Sequence, residues 1–284
     1  MKCMTRFIAY INTRRPEAIE HGKELLKWLE GIGVACYFSP ESATAIGRID
    51  LAIEEHQITN DFKLAMALGG DGSVLRTVTA VSDLEIPVLG INFGRIGYLS
   101  GVEPNLSHKR INQFLDGDFY LEKRMRLEIT SANTSGSLYA LNEVVVEKVD
   151  AGRTVRLALE INGEFFTSYA TDALIVATPT GSTAYSMSAR GPIIDPMHQA
   201  ILLTPVAPHS LFDRALVLSP DDELKISVLP DCEASFAVDG KVIGNLEIND
   251  SITCKTATKP AQLVSFGGSN FHQALKEKFG LSDR

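Results

Sequence analysis

The 284 residues sit at the upper limit of what one hydrophobic core organises, so two domains are expected. A hydrophobic content of 45% with 22% charged residues is ordinary for a globular chain, and the net charge of −8 argues against the basic face that nonspecific nucleic-acid or membrane-surface binding needs. No apolar run reaches membrane-spanning length, the Phe7–Ile11 run is too short for a signal segment, and Cys3, Cys36, Cys232 and Cys254 show no metal-ligand spacing, so a soluble cytoplasmic chain with free thiols is expected.

In chain order, Arg6 to Asn12 reads as a buried strand. Pro16 opens a helix whose apolar stripe is Ile19, Leu25, Leu26 and Leu29, ending near Gly31 and Gly33. Val34 to Phe38 is a second strand, and residues 39–60 read as loop or lid with some helix. Leu64 to Leu68 is a further buried strand, followed by Gly69-Gly70-Asp71-Gly72-Ser73 and a helix from Val74. Ile86 to Asn92 and Leu106 to Phe114 continue the alternation as strand and helix. Strands alternating with helices predict a parallel sheet with ligands at the carboxyl ends of its strands.

From about Tyr120 the pattern changes to short strands: Leu127–Thr130, Leu138–Glu147, Val155–Ile161, Glu164–Tyr169, Ala173–Ala177, Ala200–Leu203, Ala215–Leu218, Glu223–Val228, Ala234–Val238 and Ser251–Lys255. Asn162-Gly163 signals a hairpin. Phe271 to Phe279 reads as a terminal helix. The expected organisation is an α/β N-terminal domain with a parallel sheet over 1–120, to which 266–284 return as a helix, and a β-rich, sandwich-like domain over 121–265.

Two stretches carry chemistry. In Gly69–Ser73, three glycines remove three β-carbons, so backbone can take φ > 0 and approach a ligand closely. Amides at a helix start cradle phosphate, and this makes Gly69, Gly70, Gly72 and Ser73 the donor-phosphate loop. Asp71 would repel phosphate there, unless the loop also orients a hydroxyl nucleophile or holds a metal beside phosphate. A tight turn with a solvated Asp accounts for the same residues. In Ala177–Ser186, six of ten residues carry hydroxyls, suiting ribose, diphosphate or carboxamide recognition, with Tyr185 able to stack on a planar base. Asn142-Glu143 and Asp172 are further polar groups beside apolar strands, and the set suggests a cleft between two domains. No G-x-x-x-x-G-K-[ST], G-x-G-x-x-G after the first strand, G-x-S-x-G or H-E-x-x-H occurs, and the six histidines show no ligand spacing.

These residues together resemble the NAD kinase family. The resemblance rests on Gly69–Ser73, on Gly90-Ile91-Asn92-Phe93-Gly94-Arg95-Ile96-Gly97-Tyr98-Leu99, on Asn142-Glu143, on Thr178 to Tyr185, and on Leu203-Thr204-Pro205 with Pro208-His209-Ser210-Leu211. It implies transfer of the terminal phosphoryl group of ATP, or of polyphosphate, to the adenosine-ribose 2′-hydroxyl of NAD, giving NADP. It implies a divalent cation (Mg2+ or Mn2+) and a homo-oligomer, dimer or tetramer, with no nucleic-acid or membrane partner. Carried over by residue, Asp71 is the proton acceptor, with Gly72 and Arg76 beside it in the dinucleotide site. Asn142, Glu143, Asp172, Thr183, Ala184, Tyr185, Ser186, Met187 and Ser188 contact NAD. Arg153 and Lys241 fall at two more binding positions. The chain departs from the family at Asp172-Ala173, at Ala170 and at Arg190, where glycine is usual.

Two rival functions remain at this point. A sugar-phosphate or lipid kinase shares the glycine loop, and a non-catalytic dinucleotide sensor shares the cleft. The hydroxyl-rich turn disfavours the first and Asp71 the second.

Overall fold

The computed structural model describes residues 5–281 apart from 95, 96, 100, 151, 211, 231, 268 and 269. Cys3, Arg95, Ile96 and Leu211, named above, lie outside the described residues. The chain divides into two units, Met1–Lys123 with Ala261–Arg284, and Arg124–Pro260.

The first unit begins with β1 (Arg6–Ile11), α1 (Pro16–Gly31), β2 (Ala35–Phe38), α2 (Pro40–Ile46), β3 (Phe62–Gly69), α3 (Asp71–Val81), β4 (Val88–Asn92), α4 (Ser107–Asp116) and β5 (Tyr120–Arg124). Pro16 starts α1, where its fixed φ and missing N–H cost nothing. The helix buries Ala18, Gly22, Leu25, Leu26 and Leu29 as one stripe. The segment expected to be loop or lid with some helix contains α2 as its helix. Ser39 accepts a hydrogen bond from the Ser42 amide at its start, and Gly47 closes it at φ +75. Its two turns bury only Ser42, Ala43 and Ile46, too few residues to show a helical period in sequence.

The second unit holds β6 (Leu127–Ser131), β7 (Leu138–Ala140), β8 (Glu143–Lys148), β9 (Val155–Ile161), β10 (Glu164–Thr171), β11 (Ala173–Ala177), the one-turn α5 (Tyr185–Ser188), β12 (Ile201–Val206), β13 (Leu216–Leu218), β14 (Leu224–Val228), β15 (Ala234–Val238), β16 (Lys241–Leu246) and β17 (Ser251–Thr256). They form two six-stranded sheets, in the orders β10-β9-β14-β17-β6-β7 and β13-β12-β11-β8-β15-β16. Asn162 (φ +53) and Gly163 (φ +80) make the expected tight turn between β9 and β10. Alternate residues of each sheet turn inward: Leu157 and Leu159 from one, Val144 and Val146 from the other, closing over Phe236 and Tyr169 in a sandwich core. Val145, Ala173, Ile175, Ala177 and Leu202 face the opposite side of the second sheet, where Ala189 and Ile194 cover them.

The run read as one strand from Leu138 to Glu147 is two. β7 belongs to the first sheet of the sandwich and β8 to the second, so the chain changes sheets at Leu141-Asn142. Its apolar pattern continues through the crossing because both strands face the same core.

The chain then returns to the first unit as β18 (Ala261–Ser265) and α6 (Asn270–Phe279). The sheet there runs β2-β1-β3-β4-β18-β5, with β1–β2, β1–β3, β3–β4 and β4–β18 parallel. The expected boundaries placed 261–265 in the β-rich domain. Parallel pairing of Leu263 with Val88 instead makes this segment a strand of the first sheet. In α6, Phe271 packs on Tyr98 at 6.0 Å between ring centroids, and the Lys278 ammonium sits 3.7 Å from the centre of the same ring.

Candidate active site

β1, β3 and β4 are neighbours and end at one edge of the parallel sheet. There the Asn12 amide donates to Leu68 O at 2.8 Å, and the Phe93 amide to Gly69 O at 2.8 Å. The glycine turn is thereby tied on both sides. α3 starts at Asp71 rather than at Val74, with Gly70 as an extended N-cap at φ −115. A carboxylate suits the first turn, where the helix dipole is positive. The glycines of this turn do not take φ > 0, as the sequence had suggested. Close approach explains Gly69, since a β-carbon there would lie 2.1 Å from Ser73 Oγ. At Gly70 and Gly72 a β-carbon would meet only open space, leaving that side of the turn clear for a ligand.

Asp71 is half-buried, and both of its oxygens are held from across the edge. Oδ2 accepts from the Tyr98 amide at 2.8 Å and Oδ1 from the Leu99 amide at 3.1 Å. The motif Gly97-Tyr98-Leu99 thus acquires a physical role. A β-carbon at position 97 would fall 1.9 Å from Asp71 Oδ1, so glycine is needed for the carboxylate to seat. The solvated-turn reading of Asp71 fails on this geometry. Ser73 Oγ is buried with no hydrogen-bond partner among the described residues. Arg76 lies on the exposed face of α3, 3.8 Å from Glu41.

In the second unit the polar residues separate into two groups. The first is built on the chain crossing at Leu141–Glu143. Thr178 lies against it, its amide donating to Asn142 O at 2.8 Å and its hydroxyl to Leu141 O at 2.6 Å. Gly181 permits that approach, because a β-carbon there would be 2.1 Å from Asn142 O. The turn continues through Thr183, whose hydroxyl donates to Thr180 O, and Ala184 into α5 with Tyr185, Ser186, Met187 and Ser188. Tyr185 is exposed, whereas Ser186 is buried and bonds Thr204 Oγ1 at 2.9 Å, so Ser186 holds the turn and Tyr185 is presented. Glu143 is 7% exposed and its Oε2 has no partner among the described residues. Burial, with Asp239 adding repulsion, pushes its pKa up to about 7.

Asp239 was missed as a site residue. It sits with Gly240 in the tight β15–β16 turn at φ +46 and +76. Its carboxylate accepts from three successive amides, Leu141 at 2.8 Å, Asn142 at 2.8 Å and Glu143 at 3.1 Å. The sequence signal was Asp-Gly between two apolar runs, which announces a hairpin and says nothing of what the carboxylate reaches. Lys241, the first residue of β16, follows this turn and is exposed.

The second group stands at the other end of β8 and β11. Ala177 pairs with Glu143 but Ala173 with Glu147, so Asp172 is about one strand length, roughly 17 Å at ~3.4 Å per residue, from the Glu143 end. Asp172 Oδ1 accepts from Lys148 Nζ at 2.6 Å. Lys148 and Arg153 line a cavity of about 260 Å3 there, with Thr154, Cys232 and Glu233 among the other walls. The structure therefore does not gather Asp172 and Arg153 with Asn142, Glu143 and Tyr185 in one chain. Arg190 ends α5 at φ +66, its amide donating to Met187 O at 3.0 Å, so the glycine usual at this position has a conformational reason.

Among the described residues, no group of three His, Cys, Asp or Glu converges as a metal site. They do not form a protein-held metal cage.

Residues 7–119 match the ATP-NAD kinase N-terminal domain, and residues 141–266 match the ATP-NAD kinase C-terminal domain. The NAD kinase of Symbiobacterium thermophilum is 35% identical over 279 residues, covering 97% of this chain and 99% of the relative. That of Moorella thermoacetica is 34% identical over 278 residues, covering 97% and 89%. Among solved structures, yeast NADH kinase complexed with NADH superposes with a TM-score of 0.89 at 25% identity, covering 99% of this chain and 89% of that one. The NAD kinase from Archaeoglobus fulgidus in complex with ATP has the same fold, with a TM-score of 0.72 at 23% identity and 98% of each chain covered. An α/β unit bearing a fixed carboxylate on a glycine turn, joined to an antiparallel sandwich, is thus the frame of a phosphotransferase. The chain belongs to the ATP-NAD kinase family.

Proposed function

We propose that the chain transfers the terminal phosphoryl group of ATP to the 2′-hydroxyl of the adenosine ribose of NAD. The observation that carries this reading is the seat of Asp71: two backbone amides fix its carboxylate at the start of α3, as an acceptor with a set direction. A carboxylate is a far weaker base than an alkoxide, so full proton removal before attack is uphill. Asp71 orients the ribose O–H, the oxygen attacks the γ-phosphorus, and the bond to the leaving ADP oxygen breaks. The proton passes to Asp71 late, as bonding to phosphorus makes the hydroxyl acidic. Gly70 and Gly72 leave room for the donor phosphates beside the α3 amides, and Arg76, on the exposed face of α3, is assigned to the dinucleotide.

On the acceptor, Glu143 and Asn142 hydrogen-bond the ribose and amide groups of the dinucleotide, and exposed Tyr185 stacks on one of its rings. A divalent cation, Mg2+ or Mn2+, would neutralise triphosphate charge. Such an ion is held largely by phosphate oxygens and water. Polyphosphate presents the same terminal group and is an alternative donor, and the yeast neighbour's NADH makes the reduced dinucleotide a second acceptor to examine.

The separation of Asp172 and Arg153 from the Glu143 end supports a homo-oligomer in which these residues serve dinucleotide bound to a second copy. Mixing inactive Asn142→Ala and Asp172→Ala chains should then restore part of the activity, whereas no recovery under conditions of subunit exchange would contradict it. The function itself is tested by incubating the protein with NAD, ATP and magnesium and weighing the dinucleotide. One added phosphate is expected, with none on fructose 6-phosphate or diacylglycerol. Phosphorylation of either of those, with NAD untouched, would overturn the reading.

A further inference from the structure

Asp239 makes no contribution to the mechanism above, yet it is among the most tightly bonded carboxylates of the second unit. It is half-buried and spends both oxygens on three consecutive amides where the chain passes from β7 to β8, one of several crossings between the two sheets of the sandwich. Those amides belong to Leu141, Asn142 and Glu143, and the last two carry the side chains assigned to the acceptor. The Asp239 amide in turn donates to Glu143 O at 3.0 Å, so the hairpin turn and the crossing are laced in both directions. A hairpin turn does not require this. Tight β-turns tolerate Asn or Gly at the same place, and the left-handed φ of +46 is less costly for those residues than for most. An acidic group buried there gains only if something must be held.

We propose that Asp239 is the positioning residue of the acceptor site, fixing the Asn142 and Glu143 side chains through their own backbone. The inference rests on the proposed function. Three parallel amide dipoles converging on one carboxylate are a charge-assisted clamp, stronger than the same number of neutral bonds. It holds an irregular segment that no ladder partner would hold at Leu141-Asn142.

The electrostatic consequence follows from what faces Glu143. From the β15–β16 turn it is Asp239, which adds repulsion to the effect of burial. Burial and the neighbouring carboxylate push Glu143 up to about 7, while burial also raises Asp239 against the lowering pull of its amides. Ionised Glu143, with its unpartnered Oε2, is an acceptor for ribose hydroxyls, so binding of NAD should strengthen as pH rises through about 7.

The test is Asp239→Asn in the full chain. An amide places one N–H against backbone donors, breaking part of the clamp, and removes the charge. KM for NAD should rise about tenfold or more with KM for ATP within about twofold, because the donor is bound elsewhere. The limb of kcat/KM for NAD near pH 7 should move to the acid side. A general folding defect would instead lower both affinities together and leave the limb in place, and either that result or unchanged kinetics would overturn the proposal. Should Asp239→Asn not fold, the wild-type profile with Glu143→Gln as its control still decides. The limb must be present in the first and absent in the second, and a flat wild-type profile refutes the electrostatic coupling. A wild-type protein with no NAD phosphorylation at any pH would instead refute the reading of the function on which this rests.

Discussion

Asp71 and Asp239 are held by the same device in two different settings. Each is a carboxylate whose oxygens accept backbone amides from a distant segment, Tyr98 and Leu99 for Asp71 and Leu141, Asn142 and Glu143 for Asp239. Asp71 stands half-buried at a helix start, against glycine positions that open on space. Asp239 is half-buried as well, but it stands in a hairpin turn beside the buried acid Glu143. The amides fix direction in both places, and the surroundings decide use. A carboxylate at a positive helix end beside open space can act on a substrate, while one laced into a hairpin turn acts through the segment it holds.

The largest expected effect tests the accessible member. Asp71→Asn should lower kcat by about 10²–10⁴ while NAD binding, measured by calorimetry, stays within a few-fold. Equal losses in rate and binding would make Asp71 a ground-state ligand and erase the contrast with Asp239. Gly97→Ala sharpens the same point without touching the acid. Its β-carbon would overlap Asp71 Oδ1 at 1.9 Å, and a displacement of about 1 Å costs on the order of 10² in rate. Full activity in that variant would show that the seat of the carboxylate is not needed.

How legible these settings were in sequence differs in the same way. Gly69–Ser73 and Thr178–Tyr185 could be found because close approach leaves a local residue signature: glycine at 69 and 181, where backbone or side chain is within 3 Å of the missing β-carbon. The strands of both units were legible from apolar periodicity, as with Val155–Ile161 and Ala173–Ala177. What escaped depends on long-range pairing. β18 is a short run whose membership is settled only by Val88 beside it, and the break between β7 and β8 occurs inside one apolar pattern. Asp239 lies 96 to 98 residues from the amides it holds, and no local pattern records such a partner. The glycine loop misled in one respect, since its glycines keep φ negative and serve packing and access.

Smaller effects examine the dinucleotide side. Tyr185→Ala should raise KM for NAD by about 5- to 150-fold, the equivalent of ~1–3 kcal/mol for a lost stacking contact, and leave KM for ATP nearly unchanged. A change confined to ATP would move α5 to the donor. Glu143→Gln reports on stability. The pKa of Glu143 is raised from the ordinary range to about 7 in the fold, so the folded state keeps a proton that the unfolded chain has lost. Stability from this group is therefore highest below pH ~4.5 and declines up to pH ~7. The glutamine variant should gain on wild type across that window, by on the order of 2 kcal/mol at pH 8, in chemical denaturation. A constant difference at all pH values would mean that Glu143 is not buried as an acid. The smallest effect is that of Arg190→Gly. Relief of the φ +66 conformation, offset by the greater freedom of unfolded glycine, leaves a gain of about 0.5–1 kcal/mol in thermal unfolding. A loss would show that the arginine side chain makes contacts worth more than its strain.

The central claim is that an oxygen held by Asp71 receives the phosphoryl group, and the position of the new bond tests it most directly. Phosphorus NMR of the product formed from NAD and ATP should show one new phosphomonoester resonance coupled to the 2′ proton of the adenosine ribose, and Asp71→Asn should abolish that resonance without abolishing NAD binding. A phosphate on any other oxygen, or the 2′ resonance forming at the wild-type rate in the variant, would contradict it.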